Sequence, residues 1–214
     1  FGFTLILRNQ RYLFVDGRYT LQAKKQSGRY FKIITIPGKM PKDILKNKRL
    51  VIGFDPKIFT KRILNTFFYT KNCKFKPLKN NLIDQIWKRK IKNNRKKFYF
   101  LPDYSIDNSY KSKINKLVSL IKKEKADYFF ITASENNAWL LNIRGSDSVY
   151  SPIPFSYILI DKDKNIKFFC DLKKISSHLK KNFKNIEFLE IKLAEEILSK
   201  IKEKKFIIDK NTCS

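Results

Sequence analysis

Short apolar runs alternate with helically spaced ones along the whole chain, and this alternation constrains the fold more than any other feature. Phe3, Leu5 and Leu7 share one face of an opening strand, with Thr4, Ile6 and Arg8 on the other. Tyr12-Leu13-Phe14-Val15 follows after Asn9-Gln10, so the two runs read as a hairpin. Further strands are predicted at 31–36, 50–54 and 73–78, with a helix start over 19–25 and apolar positions 59, 63, 64, 67 and 68 on one helical face. The clearest helix carries Ile114, Leu117, Val118 and Ile121, with Asp107 or Ser109 as its cap. Strands at 128–132, 155–160, 166–170, 188–191 and 206–209 alternate with helices at 134–140, 175–183 and 194–201, where Ser134 is expected to cap the first. The predicted class is α/β, two mixed sheets each flanked by helices.

Between Lys88 and Lys97 seven of ten residues are basic, and the pattern restarts after them. That run is the expected boundary, dividing the chain into residues 1–87, a basic linker 88–97 and residues 98–210. No apolar run approaches the roughly 18 residues that span a bilayer, so a membrane protein is not expected.

Charge separates the function classes less than its size suggests. The 47 basic and 19 acidic residues leave +28, but +15 falls in residues 1–87 and +13 in the remainder. Lys outnumbers Arg 38 to 9, against the Arg preference of bidentate phosphate recognition, and the Lys, Asn, Ile, Phe and Tyr enrichment follows A- and T-rich codons. This composition speaks against a dedicated nucleic-acid surface. Phe98-Tyr99-Phe100, beside the basic run, reads as core rather than as a base-stacking platform. Cys73, Cys170 and Cys213 are odd in number, widely spaced and accompanied only by His178, so no disulfide framework or zinc knuckle is written and a cytoplasmic setting is expected. Scattered glycines form no phosphate loop.

The most distinctive segment is Trp139-Leu140-Leu141-Asn142-Ile143-Arg144-Gly145-Ser146-Asp147, followed by Pro152 and Phe155-Ser156-Tyr157. Arg144 and Asp147, three apart around a glycine able to take a tight or left-handed turn, are expected to form a partly buried pair, with Trp139 as a core anchor beside them. From the residues alone the segment is either a structural corner or a substrate-side motif.

This run resembles the second N-terminal domain of the Xaa-Pro aminopeptidases (aminopeptidase P) of the three-domain type. Three more matches stand in order: Asp16-Gly17-Arg18-Tyr19 with Leu21-Gln22-Ala23, Gly53-Phe54-Asp55-Pro56, and Asn81-Leu82-Ile83-Asp84-Gln85-Ile86-Trp87. Together they extend over essentially the whole chain. The resemblance implies two creatinase/prolidase-type N-terminal domains, the first entered part-way, and residues 211–214 as the start of a connection to a C-terminal catalytic domain. In that family two divalent metal ions, with manganese expected, are held there by two Asp, one His and two Glu. With one histidine, these 214 residues are expected to hold no metal and no catalytic residue. The implied role is to frame the substrate entrance for short Pro-containing peptides and to help form a homodimer. A peptidase-dead protein-binding relative and a basic nucleic-acid-binding module are the alternatives.

Overall fold

A computed structural model describes residues 2–87 and 96–213, which divide into two compact units, Phe1–Lys88 and Arg89–Cys213. Most of the basic run at 88–97 lies outside the described residues.

In the first unit β1 (Gly2–Leu7) and β2 (Gln10–Asp16) pair antiparallel as the alternation predicts, with Phe3 opposite Phe14 and Leu5 opposite Tyr12. A turn leads into α1 (Thr20–Ser27), which returns the chain so that β3 (Lys32–Ile36) lies parallel to β2. After α2 (Pro41–Leu45), β4 (Val51–Phe54) pairs in parallel with β5 (Lys74–Pro77) across α3 (Lys61–Ile63), and α4 (Leu82–Ile86) closes the unit. The apolar face expected over 59–68 is present, but only its first turn is α-helical, and Leu64–Phe68 continues as a π-turn. That wider winding packs Phe67 and Phe68 on Phe3, with ring centroids 4.9 and 5.4 Å away.

The second unit is built on a mixed five-stranded sheet. After β6 (Tyr99–Phe100), α5 (Tyr110–Lys123) is capped by Ser109, whose hydroxyl accepts the Ser112 N–H at 3.2 Å. Then come β7 (Tyr128–Ile131), α6 (Ser134–Leu141), β8 (Ile143–Arg144), β9 (Tyr157–Asp161), β10 (Ile166–Cys170), α7 (Ser177–Asn182), β11 (Ile186–Glu190), α8 (Leu193–Lys200) and β12 (Phe206–Ile208). The order across the sheet is β11-β10-β9-β7-β12, parallel at its two outer pairings and antiparallel within. Period-two alternation sends Ile158, Ile160 and Phe168 to one face, against Ile114, Val118 and Ile121 of α5 and Leu179 of α7. Leu159, Phe169 and Phe130 face the other way, against Ala194, Ile197 and Leu198 of α8. The α/β class with helix-flanked sheets is that expected from the sequence, but the first unit carries two small sheets, β1-β2-β3 and β4-β5, where one was expected. Cys170 is fully buried as a small apolar residue, and burial above all pushes its thiol up to about 12. Of the three aromatics expected in the core, Phe98 is buried there and Phe100 packs against it, but Tyr99 is exposed, because alternation along β6 turns it to the other face.

Ser134 corrects one expectation. It lies inside α6, after the cap position held by Ala133, and it forms no cap. Its hydroxyl instead accepts the Ser156 N–H at 3.2 Å, because the strand entering β9 passes this helix end.

Candidate functional site

The distinctive segment runs from the end of α6 through β8 into a closed loop, and its residues diverge in role. Asn142 terminates α6 in the left-handed conformation (φ 56°, ψ 32°), and its N–H returns to the carbonyls of Ala138 and Trp139. Left-handed geometry therefore falls on Asn142 and not on Gly145, since no glycine here has positive φ. Gly145 is required for a different reason. A Cβ there would stand 2.8 Å from Pro154 Cα and 3.0 Å from Phe98 Cδ1, so only glycine lets the loop lie this close to the core.

Arg144 and Asp147 do not pair. Arg144 is drawn back toward α6, where Nη1 donates to the carbonyl oxygens of Ile143 at 2.9 Å and Ala138 at 3.2 Å. The Ala138 carbonyl belongs to the last turn of α6, the negative end of the helix, which a guanidinium complements, and the Ile143 carbonyl belongs to β8. Asp147 points the other way, toward Lys174, and its Oδ2 accepts the Phe155 N–H at 2.8 Å. Its side chain is 4% exposed and that of Lys174 13%, so this is a buried ion pair formed 27 residues apart. Gly145 N–H to the Pro152 carbonyl and Asp147 N–H to the Ile153 carbonyl, both 3.2 Å, close the loop at its base. Its tip carries Val149 and Tyr150, 87% and 96% exposed.

Trp139 is no core anchor. It is 61% exposed, because α6 buries Ala138, Leu140 and Leu141 and turns residue 139 away from them. Its indole is covered instead by Lys113 of α5, whose ammonium lies 4.2 Å from the ring centroid. Lys113 itself is buried and donates to the Trp139 carbonyl and to Asn142 Oδ1, while Asn142 Nδ2 donates to the Asn108 carbonyl at 3.0 Å. Burial, and then the Arg144 charge, hold Lys113 below the usual lysine range. Lys113, Trp139, Asn142 and Arg144 line one cavity of about 250 Å³, so the structure unites three of the five expected residues and separates Asp147 from them.

Two participants escaped the sequence reading. Lys174 ends a three-residue turn, Leu172–Lys174, and carries no motif, and Lys113 is one lysine among many on α5. Its one sequence signal is its place next to Ile114, at the edge of the buried stripe.

In the first unit, Asp16 accepts Arg18 N–H at 3.0 Å to start the turn Gly17–Tyr19, and receives Arg18 Nε at 2.9 Å and Nη2 at 3.2 Å. These bonds hold the Asp16 carboxyl down at about 2. Arg18 and Tyr19 are exposed, and the guanidinium lies 5.8 Å from the Tyr19 ring. The arrangement is a self-contained turn clamp.

Among the described residues no group of three or more His, Cys, Asp or Glu side chains is placed to hold a metal ion. His178 is exposed on α7 with its ring edge-on to Phe100. No helix among the described residues is long and apolar enough to cross a membrane.

Comparison with known proteins agrees with this architecture. The protein of Coprinopsis cinerea named Probable Xaa-Pro aminopeptidase P is 33% identical over 178 residues, 78% of this chain and 28% of its own. Xaa-Pro aminopeptidase 1 of Dictyostelium discoideum is 27% identical over 199 residues, 84% of this chain and 31% of its own. The chain thus spans less than a third of these relatives. The crystal structure of an X-prolyl aminopeptidase from Caenorhabditis elegans, described as a cytosolic enzyme with a di-nuclear active site, superposes with a TM-score of 0.78. It covers 92% of this chain and 34% of its own at 23% identity, a likeness of fold. The family model for the Creatinase/Prolidase N-terminal domain matches residues 89–214, more than half of the chain, and the chain belongs to that family.

Proposed function

We propose that this chain is the non-catalytic N-terminal part of a metal-dependent aminopeptidase that releases the first residue from peptides with proline in second position. Residues 1–87 form its first domain, 88–97 a basic linker, 98–210 the second domain, and 211–214 the start of the connection to a catalytic domain. Two divalent ions, manganese by expectation, belong to that catalytic part. This chain supplies walls for the substrate entrance and a surface for homodimerisation, and the protein works in the cytosol.

The observation that carries this reading is the pinned loop 145–155. A buried ion pair and two main-chain bonds fix its base, while Val149 and Tyr150 stand almost fully exposed at its tip. A protein gains nothing for its own core by holding Val149 and Tyr150 in water on a pinned base, but a projecting tip suits an entrance that must sort short peptides from folded chains. The relatives' similarity along most of the chain supports the substrate class, and the three free cysteines suit a reducing compartment.

The test uses the longer polypeptide in which this chain is followed by a catalytic domain. Val149→Gly with Tyr150→Gly should leave its fold and metal content unchanged while altering KM for Xaa-Pro-Pro peptides or relaxing the limit on peptide length. Unchanged kinetics and unchanged length selection would count against the entrance role. Absence of any metal-dependent release from the unmodified polypeptide would count against the enzyme reading itself.

A further inference from the structure

We infer that the cavity at the C-terminal end of α6 is a binding site for a single carboxylate group, with Lys113 and Arg144 as its cationic walls. The role is separate from the entrance function proposed above. Lys113 is 7% exposed and Arg144 half-buried, yet neither forms an ion pair among the described residues. Both bonds of Arg144 leave from Nη1, so the Nε–Nη2 edge keeps its donors for a ligand, and Lys113 spends two of its three donors on Trp139 and Asn142. Two like charges brought together and withdrawn from water are costly unless an anion joins them. The downward shift of Lys113, caused by burial and by Arg144, reports that tension.

The cavity of about 250 Å³ suits a small group, and the charge around it suits a monoanion. Against two cations stands about half a negative charge from the α6 terminus, and the exposed carboxylate of Asp107 on the rim is screened by water and counts only in part, leaving roughly one positive charge. A carboxylate meets that balance. A dianionic phosphate overshoots it and would face the helix carbonyls. The Trp139 indole forms the apolar wall beside the anion, where it reads out any change around Lys113.

The chain has two tryptophans, so Trp87→Phe leaves Trp139 as the sole indole reporter. This variant is titrated with sodium acetate against sodium chloride at constant ionic strength and neutral pH. A saturable change in Trp139 fluorescence with acetate is expected. Arg144→Gln should weaken it roughly tenfold or more, the value of one charge-assisted hydrogen bond. Circular dichroism identifies any variant that fails to fold, and Arg144→Lys then serves as the second variant, keeping charge but losing the planar fork. Two capped peptides separate the sources of the carboxylate. Preference for acetyl-Gly-Asp-Gly-amide assigns an acidic side chain of a polypeptide, and preference for acetyl-Gly-Gly-Gly with a free terminus assigns a chain end or small acid. No saturable response to acetate or to either peptide, or inorganic phosphate binding more tightly than acetate, would overturn the assignment.

Discussion

Replacing Asp147 by Ala removes a carboxylate that does two jobs in a nearly dry place. The Lys174 ammonium, with its side chain 13% exposed, loses its counter-charge, and the Phe155 N–H loses its acceptor. An uncompensated charge left by a broken buried pair costs about 3–5 kcal/mol, where an exposed pair would cost about 0–1 kcal/mol. Asp147→Asn keeps an acceptor for Phe155 but not the charge, and should fall between. Because the Lys174 side chain is the strained party, adding Lys174→Met to Asp147→Ala should recover part of the loss, so the double variant costs less than the sum of the singles. Urea unfolding on the Trp87→Phe background, followed by Trp139 fluorescence, reports the second unit alone and avoids mixing two units in one transition. A cost below about 1 kcal/mol for Asp147→Ala, or strict additivity in the double variant, would refute the buried-pair reasoning.

Other outcomes follow from the same geometry. Gly145→Ala should destabilise the second unit by about 1–3 kcal/mol, because its Cβ meets Pro154 main chain at 2.8 Å, and a thermal melt measures the loss. Trp139→Ala should cost only about 0.5–1 kcal/mol, the worth of its contact with Lys113, rather than the several expected of a buried tryptophan, as urea unfolding followed by far-ultraviolet circular dichroism will show. The Cys170 thiol, raised to about 12 in the fold against 9.0 when unfolded, stays protonated while the unfolded thiol ionises. Its contribution is therefore whole below pH 9 and is lost as pH rises toward 12, and Cys170→Ala should flatten the alkaline fall in unfolding midpoint.

How legible the molecule was depends on the range of the interactions involved. The opening hairpin was readable because Phe3, Leu5, Tyr12 and Phe14 alternate within a dozen residues and pair with one another. Helix α5 was readable because Ile114, Val118 and Ile121 repeat at its own period. Arg144 and Asp147 are close in sequence but not paired in space. β8 sends Arg144 back to its own helix, while Asp147 finds Lys174, for which spacing gives no cue. Trp139 misled because size and apolarity suggest burial, whereas the turn of α6 decides which neighbours go inward. The three members of the cavity came from the motif, but Lys113 came from another helix and only the tertiary fold brings it there.

Under the proposed function these 214 residues would shape a peptidase without carrying its chemistry. The most direct measurement is release of the first residue from an Xaa-Pro-Pro peptide by the purified chain, with manganese, cobalt or zinc added, beside the longer polypeptide that includes it. The account predicts no hydrolysis above background by the chain under any metal, and metal-dependent hydrolysis by the longer polypeptide. Metal-dependent release by the chain alone, free of contaminating peptidase, would contradict it.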